Sequence, residues 1–374
     1  MSRARPLVLV ASVLLAPALA AQASDALYTR WTGLSGFEFQ SYSFAPGIAV
    51  RTVSQWNIPL AVVAPLGSHI SLDFTTHIAG ASVSLDSGPS QTLTGLTDTE
   101  LRLLYTLTRD RAVASLSLNL PTGMHSVSTS EFAVTGAVGS NYLSFPVSNF
   151  GGAFGVTAGG AYALPAGAWN VGLSGSVRYA GSYAPFNDQA ISYKPGMEVR
   201  ARAGADRLVG ASGRLVLGLS ASTFSTDQFT GTGTVTSASY APGLRFIGDA
   251  GYLRVFGRST LRVALWDYLR TAGDTNGTSN PDTRENVLNL EARWTWPAAP
   301  RLQLEPLAGF RQWNPADYRG GRLYTAGIAA HYGVSDRLAA SVETRYSQGW
   351  VYSRGHGFAT LNGAYLRVFL RYDR

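Results

Sequence analysis

Charged side chains are scarce in this sequence, and where they cluster they stand two residues apart, as in Glu198-Val199-Arg200-Ala201-Arg202, Glu291-Ala292-Arg293 and Glu343-Thr344-Arg345. Spacing of two brings side chains to one face of a β-strand. On that basis Asp73, Glu100, Glu198, Asp206, Glu291, Glu305 and Glu343 share a polar face with Arg102, Arg200, Arg202, Arg262, Arg293, Arg301, Arg345, Arg367 and Arg371. The two sets nearly balance. A guanidinium pairs bidentately with a carboxylate on a neighbouring strand or on a passing solute, so the pattern fits a salt-bridged wall or a solute-binding ladder.

Other chemistry is poorly represented. With no cysteine there is no disulfide, thiolate metal site or Cys nucleophile. His69 and His77 share a strand face but stand about 27 Å apart, too far to hold one metal. The segment Asp274 to Asp282 alternates oxygen side chains as calcium loops do, but its glycine is misplaced and turn chemistry explains its composition. Metalloprotease, nucleophile-elbow, P-loop and dinucleotide motifs are absent. His331 and His356, each near serines, are the candidates for a barrel hydrolase. No catalytic residue, cofactor or metal is expected.

The elements that position the charges are strands. Charged residues are 14% of the 374-residue chain, against about 25% in an ordinary soluble domain. Glycine (41) and the aromatics (18 Tyr, 16 Phe, 8 Trp) stand in their place, and all basic residues but Lys194 are arginine. Met1 to Ala23 reads as a secretory signal: Arg3 and Arg5, an apolar stretch from Leu7 to Leu15, then small residues, with cleavage expected at Ala23/Ser24. Without Arg3 and Arg5 the 30 basic residues fall to 28 against 23 acids, a charge of +5. The arginines are dispersed, so nucleic acid is not an expected partner.

Beyond the signal no apolar run is long enough for a membrane helix. Period-two alternation recurs throughout, as in Leu288, Leu290, Ala292, Trp294 and Trp296 against Asn289, Glu291, Arg293 and Thr295. Apolar faces ending in Trp or Tyr suit a lipid band with aromatic girdles, while the sparsely charged polar faces suit a wet lumen. Tight turns near Pro65 to Gly67, Arg109 to Arg111, Pro165 to Gly167, Gly210 to Ser212, Gly257-Arg258, Pro297 to Pro300 and Ser335-Asp336 alternate with longer loops. The fold class is therefore an all-β transmembrane antiparallel up-and-down barrel over 24–374. Seven hairpins plus an opening strand near Phe37 to Phe44 and a closing strand near Phe358 to Tyr372 give sixteen strands, with both termini periplasmic. Leu244 to Phe256 loses its phase midway; a bulge would account for this, and fourteen strands is the alternative.

The longest irregular stretch, Pro121 to Asn149, is then the third external loop. Glu131 is its single charged residue, His125 can titrate, and Phe132, Val134, Tyr142, Leu143, Phe145 and Val147 make it apolar. It is expected either to fold into the lumen as a gate built on His125, Glu131, Phe132, Tyr142 and Phe145, or to extend the strands into a packed external tip. Only about thirteen residues separate Ser24 from the first strand, so a plug is expected from this loop and not from the N-terminus.

Gly95-Leu96-Thr97-Asp98-Thr99-Glu100-Leu101-Arg102-Leu103-Leu104-Tyr105-Thr106-Leu107, followed by Leu116 to Gly123, resembles a hairpin of outer-membrane proteins of the phenol meta-pathway type, distant relatives of FadL-like transporters. The family pattern has a Gly-Asp pair before the strand, where this chain has Thr97-Asp98, and a Leu-Pro-Thr-Gly exit, here Leu120 to Gly123. The likeness covers about thirty residues. It implies passage of small hydrophobic or aromatic compounds, with no catalytic residues. The expectation is a bacterial outer-membrane channel exported by the Sec pathway, its partners the membrane lipid, small solutes and the barrel-insertion machinery, which would read Tyr372 near the end. A general diffusion porin, a structural or adhesive barrel and a barrel hydrolase are the alternatives; oligomeric state is not legible.

Overall fold

The computed structural model describes residues 31–108, 111–231, 237–316, 320–353 and 357–374. The expected signal peptide, the start of the Arg109 to Arg111 turn and His356 lie outside the described residues. The chain is a closed antiparallel barrel of sixteen strands. They are β1 (Thr32–Phe44), β2 (Val50–Pro65), β3 (Ile70–Leu85), β4 (Gln91–Leu96 and, after a break, Thr99–Thr108), β5 (Ala112–Leu120), β6 (Gly155–Ala166), β7 (Trp169–Ala180) and β8 (Glu198–Val209). The second half runs β9 (Gly213–Phe224), β10 (Arg245–Phe256), β11 (Ser259–Arg270), β12 (Glu285–Ala299), β13 (Leu302–Pro315), β14 (Gly321–Gly333), β15 (Leu338–Ser353) and β16 (Gly357–Asp373). Each strand pairs with the next, and β1 closes on β16 from Thr32↔Asp373 to Phe44↔Leu361. Closure leaves no sheet edge in the hydrocarbon, where an unpaired amide costs several kcal/mol.

Sixteen strands, not fourteen, follow because all seven turn signals close hairpins. In the Gly257-Arg258 turn the glycine takes φ +58, open to a residue without Cβ. The expected bulge in Leu244 to Phe256 is absent: β10 pairs without interruption from Ser222↔Arg245 to Gly213↔Arg254 on one side and with β11 on the other. Its phase is lost because Ile247, Leu253 and Val255 occupy the lumen face, while Arg254 faces outward and lies 5.0 Å from the Phe256 ring. The outward faces carry Ile58, Leu60, Leu103, Leu116, Leu173, Leu219, Leu290, Ile328 and Val368, all exposed. Exposed Trp294, Trp296, Tyr332 and Tyr372 mark the periplasmic rim, and Tyr324, Tyr346 and Phe358 the opposite half. A closed barrel with such a band and girdles is an integral membrane protein of the bacterial outer-membrane type.

The hydrophobic core sits inside the barrel. The loop after β5 folds inward through a short helix, α1 (Phe132–Val138), and buries Val134, Val138, Tyr142, Leu143, Phe145, Val147 and Phe150. They pack on Tyr42 of β1, Val53 of β2, Ala79, Ala81 and Val83 of β3, Leu93 of β4, Leu323 of β14 and Leu361 of β16. Burying seven apolar side chains at about 1.5–3 kcal/mol each is ample to fix the loop there. Beyond the barrel the next three external loops form a small sheet from Ile191–Lys194, Asp227–Gly231, Ala238–Ala241, Gly273–Thr275 and Thr278–Asn280. The last two are a tight hairpin with positive φ at Asn276 (50) and Gly277 (78), so turn geometry accounts for that oxygen-rich segment.

Candidate functional site

The inward loop is held at its neck. β4 breaks at Thr97-Asp98, and the Asp98 carboxylate accepts the N–H of Gly123 at 3.1 Å, the N–H of Gly152 at 2.9 Å and Asn119 Nδ2 at 2.8 Å. One side chain thus clasps both ends of the loop. Thr99 and Thr122 hydroxyls meet at 2.8 Å, and Met124 N donates to Leu96 O. A Cβ on Gly123 would overlap the Phe150 carbonyl oxygen and the Asp98 nitrogen, so the two limbs pass each other only because that residue is glycine.

Deeper in, polar groups of the wall satisfy the loop backbone, as burial requires. Gln55 donates to Val147 O at 2.6 Å and accepts from Val147 N at 2.9 Å; Gln40 donates to Leu143 O, and Arg311 to Tyr142 O. Asn141 donates to Glu285 at 2.7 Å. Tyr142 stacks on Trp313, with its hydroxyl 3.0 Å from the carbonyls of Arg322 and Trp350, and burial pushes its phenol well above the usual tyrosine range. Every one of these barrel partners lies on β1, β2 or β12 to β15.

Next to the loop, the lumen face of β12 to β16 carries a compact ion-pair network. Arg293 binds Glu291 at 2.6 Å and Glu305 at 2.8 Å; Arg345 binds Glu291 at 2.9 Å and pairs with Glu343; Arg367 binds Glu343 at 2.6 Å. Three carboxylates face three guanidiniums, and the side chains of Glu343, Arg293 and Arg367 are only 1%, 6% and 8% exposed. Such a network is cohesive, since removing one member strands charges out of water.

The facing wall is built differently. The lumen face of β5 to β9 is lined by small residues, Ser115, Ser117, Thr157, Gly159, Ser176 and Ser220 among them, as the strand registers place them. From this surface rise Arg178, Arg200 and Arg202, with Arg245 on β10. Their acids are two: Glu198, 2.8 Å from Arg200 and 3.8 Å from Arg245, and Asp249, 2.7 Å from Arg202. The Arg202–Asp249 pair crosses β9 over Gly218, where a Cβ would meet both carboxylate oxygens of Asp249. Arg200, Arg202 and Arg245 are 34%, 29% and 30% exposed.

The sequence-expected charges divide among these settings. Asp73, Arg102 and Glu100 meet on β3 and β4, with Arg102 3.9 Å from Asp73 and 3.4 Å from Glu100. Asp206 pairs with Arg214 at 3.1 Å. Arg262 stands in register with Arg293, and Arg371 binds Asp373 at the periplasmic end. Arg301 does not line the lumen: β12 ends at Ala299, so Arg301 is exposed in the turn and donates to Val334 O at 3.2 Å. Of the loop residues, Tyr142 and Phe145 lie in its buried core, Phe145 edge-on to Tyr42 at 5.7 Å. His125 is exposed, Phe132 is exposed against Phe186, and Glu131 accepts the N–H and hydroxyl of Ser128 at 2.8 Å, closing a turn before α1. Asp98, Gln40, Gln55 and Arg311 were missed. Asp98 lies in the stretch that carries the family resemblance, which was the one signal pointing to it.

No family model matches the sequence, and no curated protein matches it. Among solved structures the chain is similar to a Pseudomonas aeruginosa FadL homologue, at 10% identity over 95% of this chain and 94% of that one, with a TM-score of 0.48. It is also similar to an outer membrane channel from Pseudomonas putida F1, at 14% identity over 93% and 96% of the chains with a TM-score of 0.38. A third similar structure is the outer membrane channel DcaP of Acinetobacter baumannii, at 11% identity over 92% and 97%, with a TM-score of 0.43.

Proposed function

We propose that this barrel is a passive outer-membrane channel for small solutes with hydrophobic or aromatic character, gated by the loop between β5 and β6. The observation that carries the reading is the loop itself. It enters the lumen, is clasped at its neck by Asp98, and packs its apolar core on the walls of β1 to β4, β13, β14 and β16. A barrel that served structure alone would gain nothing from an apolar loop folded into its bore. A loop seated in the lumen narrows the passage and gives it an apolar flank, which favours solutes that shed water readily.

Within this reading Tyr142 and Phe145 seat the gate, Glu131 shapes the turn before α1, and exposed Phe132 packs on half-buried Phe186 of the external loop between β7 and β8. The paired charges of β12 to β16 hold the wall on which the gate rests. No residue is given a catalytic role.

The test is single-channel conductance in a planar bilayer, comparing the folded protein with a variant lacking His125 to Ser148, which keeps Gly123 and Gly152 on Asp98. Conductance is expected to be small and to rise about tenfold or more in the variant. Large, stable steps in the intact protein would establish a general diffusion porin in its place. Silence from both folded proteins would reject the channel.

A further inference from the structure

We infer that the passage left beside the loop is anion-selective, and that its solute is a small organic carboxylate with an apolar body. This inference rests on the channel reading and goes beyond it by naming the charge of the solute. The barrel contacts of the loop lie on β1 to β5 and β12 to β16; it also meets the external loop between β7 and β8, where Val127 exchanges backbone hydrogen bonds with Pro185 and Asn187 and Thr129 donates to Asp188, but among the described residues no hydrogen bond or core contact holds it to the lumen face of β6 to β11. The open path therefore runs along β6 to β9, where Ser, Thr and Gly residues leave room.

That is the wall whose charge is unbalanced. On the outer half of β7 to β10, Arg178, Arg200, Arg202 and Arg245 face Glu198 and Asp249, four cations against two anions, while nearer the periplasm Asp206 is matched by Arg214. Glu198 is divided between Arg200 and Arg245, the Arg245 Nε is buried without a hydrogen-bond partner, and Arg178 forms no ion pair among the described residues. A two-charge excess in a narrow aqueous path bounded by low-dielectric protein focuses a positive potential along it, raising the local anion concentration and excluding cations. The network on β12 to β16 contributes little, because its three arginines are matched by three acids. The guanidinium fork fits a carboxylate in its plane, and the loop presents exposed Phe132 beside Phe186 to the apolar part of the same solute.

The experiment measures reversal potentials across a planar bilayer under a salt gradient, first in potassium chloride and then in potassium benzoate, for the intact protein and the variant lacking His125 to Ser148. Chloride is expected to be more permeant than potassium in both. The double substitution Arg178→Ser with Arg245→Ser is expected to lower the chloride-to-potassium permeability ratio by roughly twofold or more. Arg301→Ser at the periplasmic rim should leave the ratio unchanged, and benzoate should carry current that falls in the double variant. Folding of each protein is checked by heat-modifiable gel migration. An open barrel that is unselective or cation-selective, or a ratio insensitive to the double substitution, overturns the inference while leaving the channel intact. Exclusion of benzoate by a chloride-passing barrel overturns the carboxylate assignment, and silence from all folded proteins overturns the channel reading and this inference together.

Discussion

The two sides of the lumen use the same residue for opposite ends. On β12 to β16, Arg293, Arg345 and Arg367 are consumed by Glu291, Glu305 and Glu343, and Glu343, Arg293 and Arg367 are buried. On β7 to β10, Arg200, Arg202 and Arg245 are about one-third exposed and outnumber their two acids, by two charges once Arg178 is counted. An arginine ladder is therefore not one feature. Its role depends on whether another element covers it and whether each positive charge has its own carboxylate, and here the inward loop lies beside the balanced side.

The contrast is broken most severely at Glu343, which pairs with Arg345 and Arg367 and approaches Arg293 at 3.4 Å. Glu343→Ala leaves three guanidiniums, two of them buried, facing two acids and is expected to cost about 3–5 kcal/mol. On the exposed wall Asp249→Ala is expected to cost about 1 kcal/mol or less, because Arg202 keeps water and Ser220 as partners. Urea unfolding in lipid measures both. Equal losses would erase the distinction between a cohesive wall and a solvated one.

The next effect in size concerns the loop that separates the two walls. Asp98→Ala removes three charge-assisted hydrogen bonds from its neck, and a loss of about 2 kcal/mol in the seated state corresponds to a roughly thirtyfold rise in the unseated fraction. Faster proteolytic cutting between His125 and Ser148 and a flickering current are the expected signs. Unchanged cutting would mean that the apolar core alone holds the loop. Tyr142→Phe sharpens the point from inside that core: it keeps the stack on Trp313 but loses the hydroxyl contact to β14 and β15, at about 1 kcal/mol in unfolding.

Alternation and turn chemistry made the barrel legible, because each hairpin is a local signal: Gly257-Arg258 closes one turn and Ser335-Asp336 another, whatever the rest of the chain does. The inward apolar loop was legible as one of two alternatives, and the choice lay in residues far away. Tyr42, Val53, Val83 and Leu361 read as ordinary strand positions until register places them on the lumen face. Asp98 looked like a turn residue because its three partners come from 21 to 54 positions downstream. Arg301 failed for the opposite reason, since parity was extended past the end of β12 into a turn, where face has no meaning. The Leu244 to Phe256 segment shows a further limit: an interior that holds Ile247 and Leu253 has the same sequence signature as a bulge.

The smallest expected effect lies where the inward loop meets the next external loop. Asp188 accepts both the N–H and the hydroxyl of Thr129, at 2.9 and 2.6 Å, and these bonds hold its carboxyl below the usual carboxylate range. A depressed value means that the contact contributes at every pH above the free carboxylate value of about 3.9 and is lost as pH falls through the lower bound value. Because Asp188 is fully exposed, the consequence is a local loosening and not global unfolding. Acidification should therefore increase loop flicker only at the acid end of the range, below pH 4, with little change from neutral pH down to pH 5. Asp188→Asn should show the loosened behaviour at neutral pH and lose the acid step. Glu131 is the neighbouring carboxylate, bound to Ser128 at the start of the same turn, so Glu131→Gln is the control. A step that survives in Asp188→Asn but vanishes in Glu131→Gln would move the latch from the junction of the two loops to the turn before α1.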